Sequence, residues 1–193
     1  MTNDTIQQAH IIIRGTEPLL WQPDEPHASL VYACPEPDAH SHTILVDETT
    51  QQLFFSPLVI TACAREAARK VNREQRPQMI ALAESLLMLE DRLVIERFTP
   101  ESPIPDSLRR VYRLAEGTPR KATRAGDDRV AAEEWHMRFR IQWEQTIANY
   151  HEVWALLDYM GKLTGIGSER RLGYGRFLVH TFGIEIVNRP ATA

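Results

Sequence analysis

An α+β fold built around an antiparallel sheet is what this sequence predicts, and three observations carry that reading. The 193 residues, 43% hydrophobic and 25% charged, suit one soluble domain with a core of its own. Trp135 to Trp143 alternates, with Met137, Phe139, Ile141 and Trp143 set against Arg138, Arg140 and Gln142, as a half-buried strand requires. Two helical stretches each lie between strand patterns.

The elements follow in order. His10 to Trp21 opens on Ile11-Ile12-Ile13, a β-branched run suited to a strand buried on both faces, before Gly15 and Pro18 interrupt it. Residues 22–42 hold Pro23, Pro26, Pro35 and Pro37 and read as a long loop, with Ser29 to Ala33 its one short strand candidate. Thr43 to Val46 and Gln52 to Phe55 flank Asp47-Glu48-Thr49-Thr50 as a hairpin. Ser56-Pro57 starts a helix, serine as N-cap and proline at the first helical position. That helix runs to about Asn72 with Leu58, Ile60, Ala64, Ala67, Ala68 and Val71 inward.

A second helical stretch, Pro77 to Leu87, leads to a strand at Arg92 to Phe98. From Thr99 to Glu134 the pattern dissolves among Pro100, Pro103, Pro105, Gly117, Pro119 and Gly126, with only Leu108 to Leu114 retaining order. Such a stretch inside one domain reads as an arm-like insertion rather than a neutral loop. Asn149 to Leu163 has helical spacing, and Arg176 to Ile186 forms the last strand. Without the hairpin and the insertion the order is β-α-β-β-α-β, the ferredoxin-like (RRM-like) arrangement, as a single domain over 1–193 with 99–134 as the arm.

Between the last helix and strand stands Gly165-Ile166-Gly167-Ser168-Glu169-Arg170-Arg171-Leu172-Gly173-Tyr174-Gly175-Arg176-Phe177. Glycine serves where backbone takes positive φ or approaches something closely. A turn rich in N–H groups and flanked by arginines suits a phosphate chain; a glycine-capped helix end is the plainer reading. Two further cationic segments accompany it. Arg65, Arg69 and Arg73 recur every fourth residue on the first helix beside Lys70 and Arg76, and the arm carries Arg109, Arg110, Arg113, Arg120, Lys121, Arg124 and Arg129. Tyr174 and Trp21 are the stacking candidates for bases. The net charge of −4 lends no global support to nucleic-acid binding, so the reading rests on local clustering.

These motifs resemble the RAMP superfamily, the RNA-binding subunits of CRISPR effector complexes. The resemblance rests on Phe55-Ser56-Pro57 through Ala64-Arg65, and on Gly165-Ile166-Gly167 through Gly173-Tyr174-Gly175-Arg176-Phe177. The glycine segment also looks like phage-encoded proteins of similar length. The resemblance implies a backbone-type subunit that polymerises along RNA with a thumb-like insertion, here residues 99–134. On it, Arg65, Arg69, Arg73, Arg120, Lys121, Arg124, Gly165, Gly167, Arg170, Arg171, Gly173, Tyr174, Gly175 and Arg176 line the nucleic-acid path. The expected partners are single-stranded RNA or DNA and further subunits, with no membrane.

Other readings stand beside this one. Some RAMP proteins are metal-independent endoribonucleases, and His27, His40 and His42 supply candidate acids or bases. A third class is a structural scaffold whose arginines pair with acidic neighbours. Cys34, Asp38, His40 and His42 form no recognised zinc spacing, and no phosphate-binding or dinucleotide motif is present, so no cofactor is expected. Cys63 reads as a small core hydrophobe, and with Cys34 far from it the default is a reducing bacterial cytoplasm. The polar start MTNDTIQQ gives no sign of export.

Overall fold

The computed structural model describes residues 6–21, 44–47, 49, 52–97, 110–111, 130–132, 134–167 and 170–187. Strand β1 (Ile6–Gly15) starts at Ile6 rather than His10, and its isoleucine run is buried on both faces: Ile11 and Ile13 are fully covered and Ile12 is 7% exposed. After Pro18 the chain continues as β2 (Leu19–Trp21). The hairpin forms as read: β3 (Ile44–Val46) pairs antiparallel with β4 (Leu53–Phe55). Asp47 closes its turn, its amide donating to the Gln52 carbonyl (2.9 Å) and its carboxylate accepting from the Thr49 amide (3.0 Å).

Helix α1 (Leu58–Lys70) begins one residue later than expected: Pro57 is its N-cap, without a side-chain cap bond, while the Val59 amide donates to Ser56 O at 3.0 Å. Val59, Ile60, Cys63, Ala64, Ala67 and Ala68 face the core; Leu58, expected inward, is 45% exposed. The shift is that of a helix turned slightly, so that Val59 takes the buried place. Helix α2 (Arg76–Ser85) follows. A short strand, β5 (Leu87–Met88), follows the helix, and the strand expected over 92–98 is instead two short pieces, β6 (Leu93–Val94) and β7 (Glu96–Arg97). The chain changes sheets at the buried Ile95. β6 pairs with β4, Ile95 N donates to Leu53 O (3.0 Å), and β7 pairs with a strand of the main sheet.

Of the arm, the described residues are β8 (Arg110–Val111), β9 (Val130–Ala132) and Glu134; β8 pairs with β7 and β9 with β2. Strand β10 (Trp135–Glu144) has its odd-numbered residues buried, as its alternation predicts. Asn149 caps α3 (Tyr150–Tyr159) in a reciprocal box with Glu152: its side chain accepts from Glu152 N (3.2 Å) while Glu152 accepts from Asn149 N (2.8 Å). A wide turn, Met160–Thr164, extends α3 before the glycine loop and β11 (Phe177–Val187).

The main sheet runs β11-β1-β10-β7-β8, antiparallel throughout. Its core order, last strand, first, third, second, is that of the ferredoxin-like fold, with α1 and α3 as the two crossovers. Ala9, Ile11, Ile13, Met137, Phe139, Ile141 and Trp143 point to the helices and join their inner faces in one core. No helix among the described residues is long and apolar enough to cross a membrane.

The opposite face of the sheet is polar. Where the arm departs, Glu96 is 8% exposed and bridges the fully buried His136 (3.0 Å to Nε2) and Arg138 (3.0 Å). Burial alone would push the Glu96 carboxyl up, but hydrogen bonds from His136 and Arg138 outweigh it and hold the carboxyl below its ordinary range. A depressed carboxylate stabilises above its unfolded-state pKa, and that contribution is lost as pH falls through the folded value. Glu96→Ala removes the carboxylate that the buried His136 and the part-buried Arg138 share. It should therefore cost on the order of 3 kcal/mol near neutral pH, and less in acid, as read by urea denaturation at both pH values.

Candidate functional site

The glycine loop is folded on itself. Gly165 and Gly175 have φ of 75° and 67°. A Cβ on Gly175 would lie 1.7 Å from the Ile166 carbonyl oxygen, so no side chain fits there. Across this contact Ile166 N donates to Gly175 O (3.0 Å), and Gly175 N donates to Pro18 O (2.8 Å). Gly165 N donates to Met160 O (2.8 Å), closing the wide turn after α3, and Gly173 N donates to Arg170 O (3.0 Å). The expectation that the loop's amides cradle phosphate is thereby corrected for Gly165, Ile166, Gly173 and Gly175. These amides hold the loop's own shape. Gly167 is buried and Tyr174 half-buried.

What this shape achieves is a seam between the loop and α1. Cys63, on the inner face of α1, places its Sγ 3.2 Å from the Gly165 carbonyl oxygen, and burial pushes its thiol pKa up. It packs as the small core hydrophobe expected. One turn on, Glu66 accepts from Lys70 Nζ (2.7 Å) and from Arg170 Nη1 (2.5 Å). Lys70 also donates to Leu163 O (3.0 Å), and Arg176 Nη1 donates to Lys162 O (3.0 Å). Cations therefore sit on the carbonyls at the C-terminal end of the α3 extension, where the helix dipole favours them.

The sequence-predicted cations divide into three groups. Arg65, Arg170 and Arg176 are partly buried, Arg170 as the partner of Glu66 and Arg176 on the Lys162 carbonyl. Arg69, Arg73 and Arg171 are exposed, and among the described residues no carboxylate lies within ion-pair distance of them. Arg120, Lys121 and Arg124 lie outside the described residues, as do His27, Cys34, Asp38, His40, His42 and the side chain of Trp21. Helix α1 and the loop thus meet through Glu66 and Arg170, a pair outside the sequence-based expectations. The signal for half of it was present, since Glu66 and Lys70 are four residues apart on one helix. Arg176 is held by a neutral carbonyl, so its charge is not cancelled, whereas that of Arg170 is shared with Glu66.

No protein-family model matches the chain, and no curated protein sequence is detectably similar to it. Among solved structures, a chain of the Type III-B Cmr-beta complex bound to cognate target RNA is similar, at 13% identity with a TM-score of 0.47. The match covers 94% of this chain and 61% of that one, so this chain spans about three fifths of that protein's length. No residue role is carried over from it.

Partial burial would push the Glu66 carboxyl up, but the Lys70 hydrogen bond and the charge and hydrogen bond of Arg170 hold it below its ordinary range. Its contribution to stability is therefore present above the unfolded-state pKa and lost as pH falls through the folded one. Replacing it by Glu66→Gln should flatten the acid limb of a plot of denaturation midpoint against pH. An unchanged acid limb would show that the seam does not couple to folding.

Proposed function

We propose that this chain is a non-catalytic, RAMP-like protein that binds single-stranded nucleic acid and assembles along it, as a CRISPR-type backbone subunit or a phage strand-coating protein. The seam between α1 and the glycine loop is the nucleic-acid path. The observation that supports this reading is the convergence there of Lys70 and Arg170 on Glu66 and of Lys70 and Arg176 on the carbonyls of Leu163 and Lys162, with Arg69 and Arg171 exposed on the same two elements. In a protein of net charge −4 such local surplus is what an anionic chain would follow.

The exposed Arg69, Arg73 and Arg171 make the outer phosphate contacts, and Arg176 approaches from the loop. Arg170 plays a second part. Its pair with Glu66 keeps it extended while the site is empty, and a phosphate then competes with that carboxylate for its remaining N–H groups. The glycines enter as architecture, because their amides are already engaged. Tyr174 offers a flat ring for a base, and Arg120, Lys121 and Arg124 of the arm extend the path. Backbone contacts tolerate many sequences and weaken steeply with salt.

Fluorescence anisotropy with a labelled single strand at several salt concentrations tests the reading. Arg171→Ala with Arg176→Ala should weaken binding to all sequences alike and make the log–log salt slope shallower by about 0.7 for each contact removed. Glu66→Gln should tighten binding, because it removes the one competing carboxylate. Binding that ignores salt, or that survives the double substitution unchanged, would count against the seam. Discrete cleavage of a hairpin RNA without metal would favour an endoribonuclease instead. A protein that never binds single strands, with or without these substitutions, would be the scaffold.

A further inference from the structure

Among the described residues, β11 is an edge of the main sheet and no strand pairs with its outer side. Eleven residues of edge leave a row of N–H and C=O groups facing outward, a template for another strand. Above it, one flank of α3 turns toward α2, where Gln78 Nε2 donates to Glu152 at 2.5 Å. Helical spacing puts Tyr150 and Trp154 on the other flank, and they remain 42% and 45% exposed. On the strand, Phe182 and Ile184 lie opposite Ile11 and Ala9 and so point to the helix side, Ile184 being 40% exposed. Apolar groups of strand and helix therefore line this edge.

We propose that the occupant of this edge is a second copy of the chain: two β11 strands pair antiparallel about a two-fold axis at Gly183, joining two sheets into one. The bulge marks where the regular edge is interrupted. Ile12 lies opposite Thr181 and Ile13 opposite Val179, so His180 is the extra residue. Counted outward from Gly183, Phe182 of one copy meets Ile184 of the other on the helix side. On the polar face, Thr181 of one copy meets Glu185 of the other, so a hydroxyl donor faces a carboxylate on both sides of the axis. A two-fold contact requires this self-complementarity.

Gly183 is exposed and keeps the axis free of side chains. The opposite edge of the sheet, β7 with β8, offers only two-residue strands, so head-to-tail pairing has no template of matching length. A stable interface buries on the order of 1,200 Å² or more, beyond what one strand pair supplies. Tyr150 and Trp154 of both copies add the remainder.

The full chain, freed of nucleic acid, should show twice its 22.1 kDa mass by light scattering. Ile184→Lys, an inward-pointing charge on the edge, should give a monomer with unchanged far-UV circular dichroism. In a Cys34→Ser background, Gly183→Cys should form an intermolecular disulfide on mild oxidation faster than Glu185→Cys does, because only a residue on the axis meets its own copy. A Cβ at 183 finds nothing nearer than His10 O at 3.9 Å, so that variant should fold. A wild-type monomer at every attainable concentration would overturn the proposal, as would a dimer indifferent to Ile184→Lys or equal cross-linking at both positions. None of these measurements involves nucleic acid, so their failure and that of the strand-binding reading are separable.

Discussion

The close approach of α1 to the wide turn after α3 governs the rest of the structure. It is possible because the inner face of α1 is small: Cys63, Ala64, Ala67 and Ala68 are fully buried there. The turn is equally lean. A Cβ on Gly161 would lie 2.1 Å from the Phe177 carbonyl oxygen, so the α3 extension rests almost directly on the backbone of β11. Close-packed backbones of this kind leave little room for adjustment. The loop that leaves the turn is consequently held at the foot of α1, and its arginines with it.

That placement has an electrostatic cost, which Glu66 offsets. Lys70, Arg170 and Arg176 converge where two of the acceptors are backbone carbonyls, and carbonyl dipoles alone do not neutralise three cations. One carboxylate between Lys70 and Arg170 relieves the repulsion while leaving a surplus of positive charge. The same carboxylate limits how strongly the seam attracts an anion. On the reading proposed above, stability and binding pull on Glu66 in opposite directions.

The polar face of the sheet shows a different solution. Glu96, His136 and Arg138 form a closed cluster at the foot of the arm, and Glu90 takes Arg140 in a similar way. Cations on that face are paired within the fold, whereas Arg69, Arg73 and Arg171 on the helix side have no carboxylate beside them among the described residues. The contrast is what distinguishes the seam from ordinary charged surface.

The sequence by itself determined the elements whose signals are local. Ser56-Pro57 starts α1, Asp47 turns the hairpin, the alternation of 135–143 appears as β10, and the helix-then-strand order yields the ferredoxin-like sheet. Positive φ at Gly165 and Gly175 was legible too, since only glycine is at ease there. Tertiary structure decided the rest. Residues 92–98 read as one strand because their composition suits a strand, but two sheets claim its halves and break it at Ile95. The amides of the glycine loop turn inward because Pro18 and Met160, from elsewhere in the fold, and Gly175, from the far side of the loop, supply acceptors. Glu66 finds Arg170 across 104 residues of chain, a pairing that no local pattern encodes, because it exists only once α1 and the loop are packed together.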